Sequence, residues 1–176
     1  DKAIAIVRNI TERYEWEKKL RHQSLHDSLT GLYNRTSFEE KMQQISQIQQ
    51  TAGLLVCDVD GLKLLNDTFG HATGDQALRQ VAELLQDAFP ADSFLARIGG
   101  DEFAAVFNQP SQDFFPTVCT KIRSALEKHN QSQHRFPVSL SLGYAISSEN
   151  PPDMCSLFKE ADTNMYREKL LQKQSA

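Results

Sequence analysis

The chain has 176 residues, a formal net charge of −4, 40% hydrophobic residues and 24% charged residues. This length is typical of one domain with a short appendage, and such a domain buries roughly 70% of its unfolded surface without needing a disulfide or a metal to fold. The slight net acidity excludes a broad, basic nucleic-acid-binding surface, so we expect no nucleic-acid partner.

The cysteines and the hydropathy pattern indicate the cellular compartment. Cys57, Cys119 and Cys155 are an odd, widely spaced set without a CxxC pair, which favours a reduced, cytoplasmic environment over a disulfide framework or a zinc site. No apolar run approaches the roughly 20 residues of a membrane span, and no signal-peptide pattern is present. We therefore expect a cytoplasmic domain, whose full-length protein would be membrane-attached only through a segment outside this chain.

The first 50 residues predict a strand, two helices and a loop. Residues 3–11, "AIAIVRNIT", alternate weakly and predict a strand. Residues 12–25 are highly charged, with Trp16 and Leu20 on one helical face, which is typical of a connector helix or a coiled-coil stalk. The alternative is a solvated helix packed on its own domain. A loop over residues 26–35, punctuated by Gly31, precedes a second helix that we expect to end near Gln50.

The remaining elements alternate between strands and helices. Residues 53–60 predict a buried strand that ends in acids, followed by a short helix at 62–70 and an amphipathic helix at 73–89. Strands at 93–98 and 102–107 are joined by Gly99-Gly100, which is a hairpin signal. A helix at 114–129, a strand at 136–146 and a long helix at 154–173 complete the chain. The hairpin implies antiparallel pairing, so we predict an α+β fold with one mainly antiparallel sheet flanked by helices.

Two acidic clusters are the first candidate site. Asp58 and Asp60 end a buried strand, and strand alternation places them on the same side. Asp101 and Glu102 begin another strand after the Gly-Gly turn. If the two strands are neighbours, their carboxylates converge and repel one another unless a cation lies between them. Oxygen ligands select an ion such as Mg²⁺, as in two-metal phosphoryl transfer. The equally weighted alternative is that these acids merely decorate two turns.

The residues after the first cluster add polar groups that have ordinary alternatives. Asn66 and Asp75 offer an amide and a carboxylate, a pair able to read the edge of guanine. On general grounds, helix capping by Thr73 or Asp75 is the stronger interpretation. Lys169 and Lys173 are four residues apart on the last helix, where they would either contact phosphates or be solvated.

Five segments together resemble the GGDEF family, the diguanylate cyclases. They span about residues 27–169 and read "DSLTGLYNR", "DVDGLKLLNDTFGHATGDQAL", "RIGGDEFAAVF", "SLSLGYAI" and "ADTNMYREK". The leading "AIVRNITERYEWEKKLR" resembles the tail of a PAS sensor domain with its signalling helix. The resemblance implies a palm-like nucleotidyl-cyclase fold over residues 26–176, with residues 1–25 as the end of an upstream sensor and a linker helix.

The resemblance also implies an activity and a homodimer. The family condenses two GTP molecules into cyclic di-GMP and pyrophosphate by metal-assisted attack of a ribose 3′-OH on an α-phosphate, with one GTP in each subunit. The implied cofactor is Mg²⁺ (or Mn²⁺), held by Asp58, the carbonyl of Val59 and Asp101.

The resemblance assigns the remaining site residues by position. Asn66 and Asp75 would bind the guanine, and Asp101 would activate the 3′-OH beside Glu102. The remaining residues would contact or approach the phosphates, and they are Gly61, Leu62, Lys63, Lys169 and Lys173.

Several positions depart from the family pattern. The common inhibitory product site, Arg-x-x-Asp, is replaced by "PADS", with Pro90 and Ser93 in place of its Arg and Asp, so we expect no feedback by the product. Lys173 stands where a common "GRN" motif places an Arg, which keeps the charge without the forked geometry. Leu62 replaces a frequent Phe, which should affect only packing. Glu168 occupies a usually small position from which it could weaken the phosphate contacts.

Two other functions compete with an active cyclase. One is a catalytically weak GTP-binding or regulatory module. The acidic and amide site residues argue against it, because all five are present, namely Asp58, Asn66, Asp75, Asp101 and Glu102. A dinucleotide cyclase with relaxed base choice is the other. Asp75 argues against relaxed choice, because a site built to bind donors rejects a base that lacks them.

Overall fold

The computed structural model describes residues 2–91, 93–132 and 136–175, with side chains described from residue 12 to residue 174 within those ranges. It contains six helices and four strands within these ranges. In chain order they are α1 (Lys2–Leu25), α2 (Arg35–Ser46), β1 (Ala52–Val59), α3 (Leu62–Phe69), α4 (His71–Ala88), β2 (Phe94–Arg97), β3 (Glu102–Asn108), α5 (Phe114–Ser132), β4 (Leu140–Ile146) and α6 (Met154–Ser175).

One four-stranded sheet forms the centre of the fold, in the order β2-β3-β1-β4. All three pairings are antiparallel, so the prediction of an α+β fold around a mainly antiparallel sheet is confirmed. The β2–β3 hairpin is also confirmed, and its turn is closed by the Ile98 amide, which donates to the Glu102 carbonyl at 2.9 Å.

Strand β1 is the most buried element, because it lies between β3 and β4 and has helices over both faces. All eight of its residues are buried, which explains its continuous apolar sequence. Its side chains alternate between two cores. Leu55 and Cys57 pack with residues of α4 and α5, whereas Leu54 and Val56 pack with residues of α2 and α6.

Helix α6 packs very closely on β4. A Cβ atom built on Gly143 would collide with the backbone of Ala161 and Met165. The Asn164 amide also donates to the Tyr144 carbonyl at 3.0 Å. The absent side chain at Gly143 therefore lets α6 lie directly on the sheet, and it brings Lys169, one turn after Met165, to the end of β1.

The prediction of a strand over residues 3–11 was wrong, because α1 is helical from Lys2 to Leu25. Ala3, Ile6, Val7 and Ile10 also recur at three- and four-residue steps, so the same residues fit a helical repeat. Residues 12–24 are exposed. This exposure contradicts the alternative prediction, in which this helix packs on its own domain. Among the described residues, no helix combines the length and apolar character that a membrane span requires.

The capping prediction for Thr73 and Asp75 was also wrong. Helix α4 begins at His71, with Gly70 at its N-cap position, so both residues lie inside the helix. The Thr73 hydroxyl donates to the Phe69 carbonyl at 3.0 Å. Gly70 adopts a φ of 85°, a conformation that suits glycine and lets α3 and α4 follow each other almost without a loop.

Several element boundaries differ from the predicted ones by a few residues. Helix α2 ends at Ser46 and not near Gln50, and β4 begins at Leu140 and not at residue 136. Both differences shorten an element whose end is polar or contains a proline, and such ends are poorly determined by local pattern alone.

We expect Gly143→Ala to destabilise the fold by about 2–4 kcal/mol, because overpacking against backbone atoms cannot be relieved by a side-chain rotation. Urea unfolding followed by circular dichroism measures the effect. The matched control is Gly100→Ala, where a Cβ would meet nothing within 4 Å. Equal stabilities of the two variants would contradict the close packing of α6 on β4.

Candidate functional site

The candidate site lies where β1 ends and β3 begins. Asp58 is paired directly with Glu102 in the antiparallel register. The Val59 amide donates to the Asp101 carbonyl at 2.9 Å, which extends the pairing past the strand end. The two acidic clusters are therefore brought together by adjacent strands, which meets the condition under which the sequence predicted that they converge.

Lys169 is the cation at the centre of this acidic region. Its ammonium group donates to the Asp58 carboxylate at 2.5 Å, and the Asp58 side chain is only 10% exposed. Partial burial alone would lower the pKa of Lys169, but the hydrogen bond and charge of Asp58, together with the charges of Asp60 and Asp101, raise it above its usual value. Lys169 is thus a fixed positive charge among three carboxylates.

The raised pKa of Glu102 indicates that the region keeps an excess of negative charge despite Lys169. Burial raises the pKa of Glu102, and the neighbouring carboxylates, chiefly Asp101 and Asp58, raise it further, against a smaller opposing effect of Arg35. Such a shift means that the ionised form is destabilised by its surroundings. The region is therefore one that a bound cation would stabilise.

A pocket of about 910 Å³ opens beside these acids. Many of the predicted site residues line it, namely Val59, Gly61, Leu62, Lys63, Asp101, Lys169 and Lys173. Gly61 adopts a left-handed φ of 69° and precedes the first residue of α3. The first residues of α3 therefore line the pocket, and the positive N-terminal end of a helix favours anions.

The two predicted base-binding residues lie on the neighbouring helices α3 and α4. The Asn66 side chain packs against Gly74, where a Cβ would collide with its Oδ1 atom. That Oδ1 is buried and has no hydrogen-bond partner among the described residues. Asp75 is half-buried beside Gly74. Because this Oδ1 atom faces Gly74 and is closed to solvent, it does not mark the position of a ligand. Neither Asn66 nor Asp75 is among the residues that line the 910 Å³ pocket.

A partly buried ion pair holds the Gly-Gly turn, and the sequence did not predict it. Arg97 donates to both carboxylate oxygens of Asp27, at 3.2 and 3.3 Å, and to the Gly100 carbonyl at 2.8 Å. Burial alone would raise the pKa of Asp27, but hydrogen bonds from Thr30 and Arg97 lower it below its usual value. The only sequence signal was that Asp27 and Arg97 each lie inside a family-like segment.

Glu168, which was expected to weaken the phosphate contacts, has its own partners. Its carboxylate accepts from the Arg123 guanidinium at 2.9 Å and from the Gln172 amide at 3.1 Å. The charge that Glu168 adds near Lys169 is therefore balanced by Arg123 from α5. Its effect on phosphate binding remains a prediction, as do the individual roles of the other site residues.

The donor set fits a hard cation, although no group of three or more His, Cys, Asp or Glu side chains in the described ranges is arranged tightly enough to hold a metal ion. The predicted ligands are two carboxylates and one backbone carbonyl (Asp58, Asp101 and Val59), all oxygen atoms, which is what Mg²⁺ prefers. A cation here would also offset the excess of negative charge around Glu102.

Comparison with known proteins identifies the family. The sequence matches the family described as "Diguanylate cyclase, GGDEF domain" over residues 24–175. The chain belongs to the GGDEF family. A related uncharacterized membrane protein from Staphylococcus aureus (strain USA300) is 33% identical over 167 residues, which cover 90% of this chain and 45% of that protein. The chain thus spans about half the length of this curated relative.

Solved structures of GGDEF proteins have the same fold. The coiled coil and GGDEF domain of DgcB from Caulobacter crescentus, in complex with c-di-GMP, superposes with a TM-score of 0.83 at 26% identity, over 96% of this chain and 92% of that one. The diguanylate cyclase SiaD from Pseudomonas aeruginosa, in complex with its activator SiaC, gives a TM-score of 0.74 at 26% identity, over 96% and 68% of the two chains. The predicted family and fold are confirmed.

We expect Lys169→Ala to destabilise the metal-free protein by about 1–3 kcal/mol, because Asp58 would remain as a buried carboxylate without its partner. Adding Mg²⁺ should recover part of the loss if the ion replaces the missing ammonium charge. Urea unfolding with and without Mg²⁺ measures both effects. Lys173→Ala, which removes an exposed lysine from the same helix, is the control and should change little. A Lys169→Ala variant as stable as the control would contradict the central role of the Asp58–Lys169 pair.

Proposed function

We propose that this chain is a diguanylate cyclase domain that condenses two GTP molecules into cyclic di-GMP and two pyrophosphates. The observation that best supports this function is the convergence of Asp58, Asp101, Glu102 and Lys169 where β1 and β3 meet. A region with this excess of carboxylates suits the binding of a metal–nucleotide complex. Membership of the GGDEF family supplies the reaction.

The proposed metal is Mg²⁺ (or Mn²⁺), held by Asp58, the Val59 carbonyl and Asp101. When bound, such an ion neutralises phosphate charge and aids ionisation of the attacking hydroxyl. Asp101 accepts the proton of the ribose 3′-OH as that oxygen attacks the α-phosphorus. The new 3′-O–P bond forms while the bond from the α-phosphorus to the bridging oxygen breaks, and pyrophosphate leaves. Glu102 stands beside Asp101 and adds to the local negative charge.

The phosphates are proposed to lie in the 910 Å³ pocket. Lys63, Lys169 and Lys173 supply positive charge there, and the backbone at Gly61 and Leu62 approaches the phosphate oxygens. The backbone at Gly61 and Leu62 is fixed before substrate binds, so it stabilises the charge that develops in the transition state without a further reorganisation cost. Lys169 first exchanges its ion pair with Asp58 for contacts to the phosphates.

Guanine recognition is proposed for Asn66 and Asp75. A carboxylate accepts from the paired N1 and N2 donors of guanine, and adenine lacks that pair. A dinucleotide cyclase with relaxed base choice is disfavoured for the same reason.

The reaction requires a homodimer, because each subunit holds one GTP and the second GTP must be presented by the partner. Holding two reactants in register reduces the barrier by up to about 7–11 kcal/mol in well-oriented systems. Trp16 and Leu20 lie exposed on α1, at 63% and 61%, which supports a role for this helix in pairing two subunits. We further propose that residues 1–25 link the domain to an upstream PAS-like sensor in the full-length protein.

The alternative is a catalytically weak GTP-binding or regulatory GGDEF module. The observation that favours it is the Asp58–Lys169 ion pair, because a metal and a nucleotide must compete with it for both side chains. In that case the site would bind GTP without turning it over.

Incubation of the purified chain with GTP and Mg²⁺ should yield cyclic di-GMP, identified by mass. Asp101→Ala should lower the rate by at least about 100-fold, since it removes a metal ligand and the proposed base together. Asp87→Ala, which removes an exposed carboxylate from α4, is the control and should retain the wild-type rate. GTP binding without product in a chain held as a dimer would instead favour the alternative module.

Product feedback should be absent, because Pro90 and Ser93 replace the charged residues of the usual inhibitory site; Asp92, between them, lies outside the described residues. We expect the initial rate in micromolar cyclic di-GMP to stay within about twofold of the rate without it, since neither Pro90 nor Ser93 supplies a charge-assisted hydrogen bond. Initial rates at several GTP concentrations provide the measurement. Strong non-competitive inhibition would show that a product site exists.

A further inference from the structure

Asp60 is held differently from its neighbour Asp58. Its two carboxylate oxygens accept from two serine hydroxyls, Ser139 at 3.0 Å and Ser141 at 2.8 Å. Its amide donates to the Ser139 carbonyl at 3.0 Å. Ser141 is fully buried, so its hydroxyl has a fixed environment. The Asp60 carboxylate is thus fixed by both oxygens to the start of β4.

A second set of polar contacts joins that part of β4 to helix α6. The Gln172 amide nitrogen donates to the Leu140 carbonyl at 3.3 Å and to Glu168 at 3.1 Å. Glu168 in turn accepts from Arg123 of α5 at 2.9 Å. We call Arg123, Glu168 and Gln172 the polar brace. It joins α5 and α6 to Leu140, which lies between the two serines that hold Asp60.

The position of Asp60 in the chain gives these contacts a consequence at the pocket. Asp60 directly precedes Gly61, whose left-handed φ of 69° turns the chain from β1 into α3. The first turn of α3 is closed by the Leu65 amide, which donates to the Gly61 carbonyl at 3.0 Å. A displacement of Asp60 therefore changes where the backbone of Gly61 and the start of α3 lie along the pocket.

We propose that Asp60 is a positioning residue, neither a metal ligand nor a base, and that the polar brace acts through Ser139 and Ser141 to hold it. The brace keeps the turn at Gly61 in the orientation that accepts the phosphates of GTP; this consequence rests on the proposed function. In this role Glu168 supports phosphate binding from outside the pocket, which is the opposite of the repulsion that its charge alone suggests.

Glu168 allows a test in which the two interpretations predict effects of opposite sign. Glu168→Ala removes the acceptor for both Arg123 and Gln172. If the brace acts as proposed, the KM for GTP rises about fivefold, which is the effect of losing one or two ordinary hydrogen bonds. The kcat stays within about twofold of the wild-type value. Glu168→Gln keeps an acceptor oxygen for Gln172 but loses the charge that pairs with Arg123, so the KM for GTP should rise less than in Glu168→Ala. Simple repulsion of phosphate predicts that both variants lower KM, and that result would overturn the proposal.

Hydrogen exchange in the nucleotide-free chain tests the brace independently of catalysis. The amides of Asp60 and Leu65 donate to the Ser139 and Gly61 carbonyls. Their exchange should be about fivefold faster in Glu168→Ala than in the wild type, and the increase should be smaller in Glu168→Gln. Gln174→Ala, at an exposed position of the same helix, is the matched control. Unchanged exchange in Glu168→Ala would overturn the proposal. A wild-type chain that neither binds nor converts GTP would refute the proposed function, while the exchange rates would still decide the brace.

Discussion

The structure depends on how the negative charge at the end of β1 is balanced. Four carboxylates meet there, and each one has a different environment: Asp58 pairs with Lys169, Asp60 accepts from two serines, and burial beside its neighbours raises the pKa of Glu102. Asp101 lines the pocket. The chain therefore neutralises only part of the charge with its own groups, and the excess beside the pocket that Asp101 lines suits a cation together with an anionic ligand.

This balance in turn requires the close packing of α6. Lys169 reaches Asp58 because α6 lies on β4 without an intervening side chain at Gly143. Gln172, less than a turn further along the same helix, contacts Leu140 and Glu168. One helix thus positions both the central cation and the polar brace, so the site is rigid only if α6 and β4 remain in contact.

Local patterns predicted the strands, the β2–β3 hairpin and the acids at two strand ends, but the pairing of β1 with β3 that brings the acids together was only a condition of the prediction. The Gly99-Gly100 turn predicted the hairpin, and antiparallel pairing then placed Asp58 opposite Glu102. Local patterns failed where tertiary context decides. Within the part of the chain that the structure describes, no strand pairs with residues 3–11, and these residues are helical. The polar brace joins residues 45 positions apart in the chain, and no local pattern relates Arg123 to Glu168.

Glu168 illustrates why composition near a site does not determine its effect on a ligand. Considered alone, a carboxylate one residue before Lys169 opposes the binding of phosphates. In the folded chain its charge is offset by Arg123 and its second oxygen orients Gln172. A hydrogen-bonded carboxylate paired with guanidinium exerts a weaker field on its surroundings than a free one. The same side chain can therefore increase order in the pocket while adding little repulsion, and the sign of its effect follows from its partners and not from its charge.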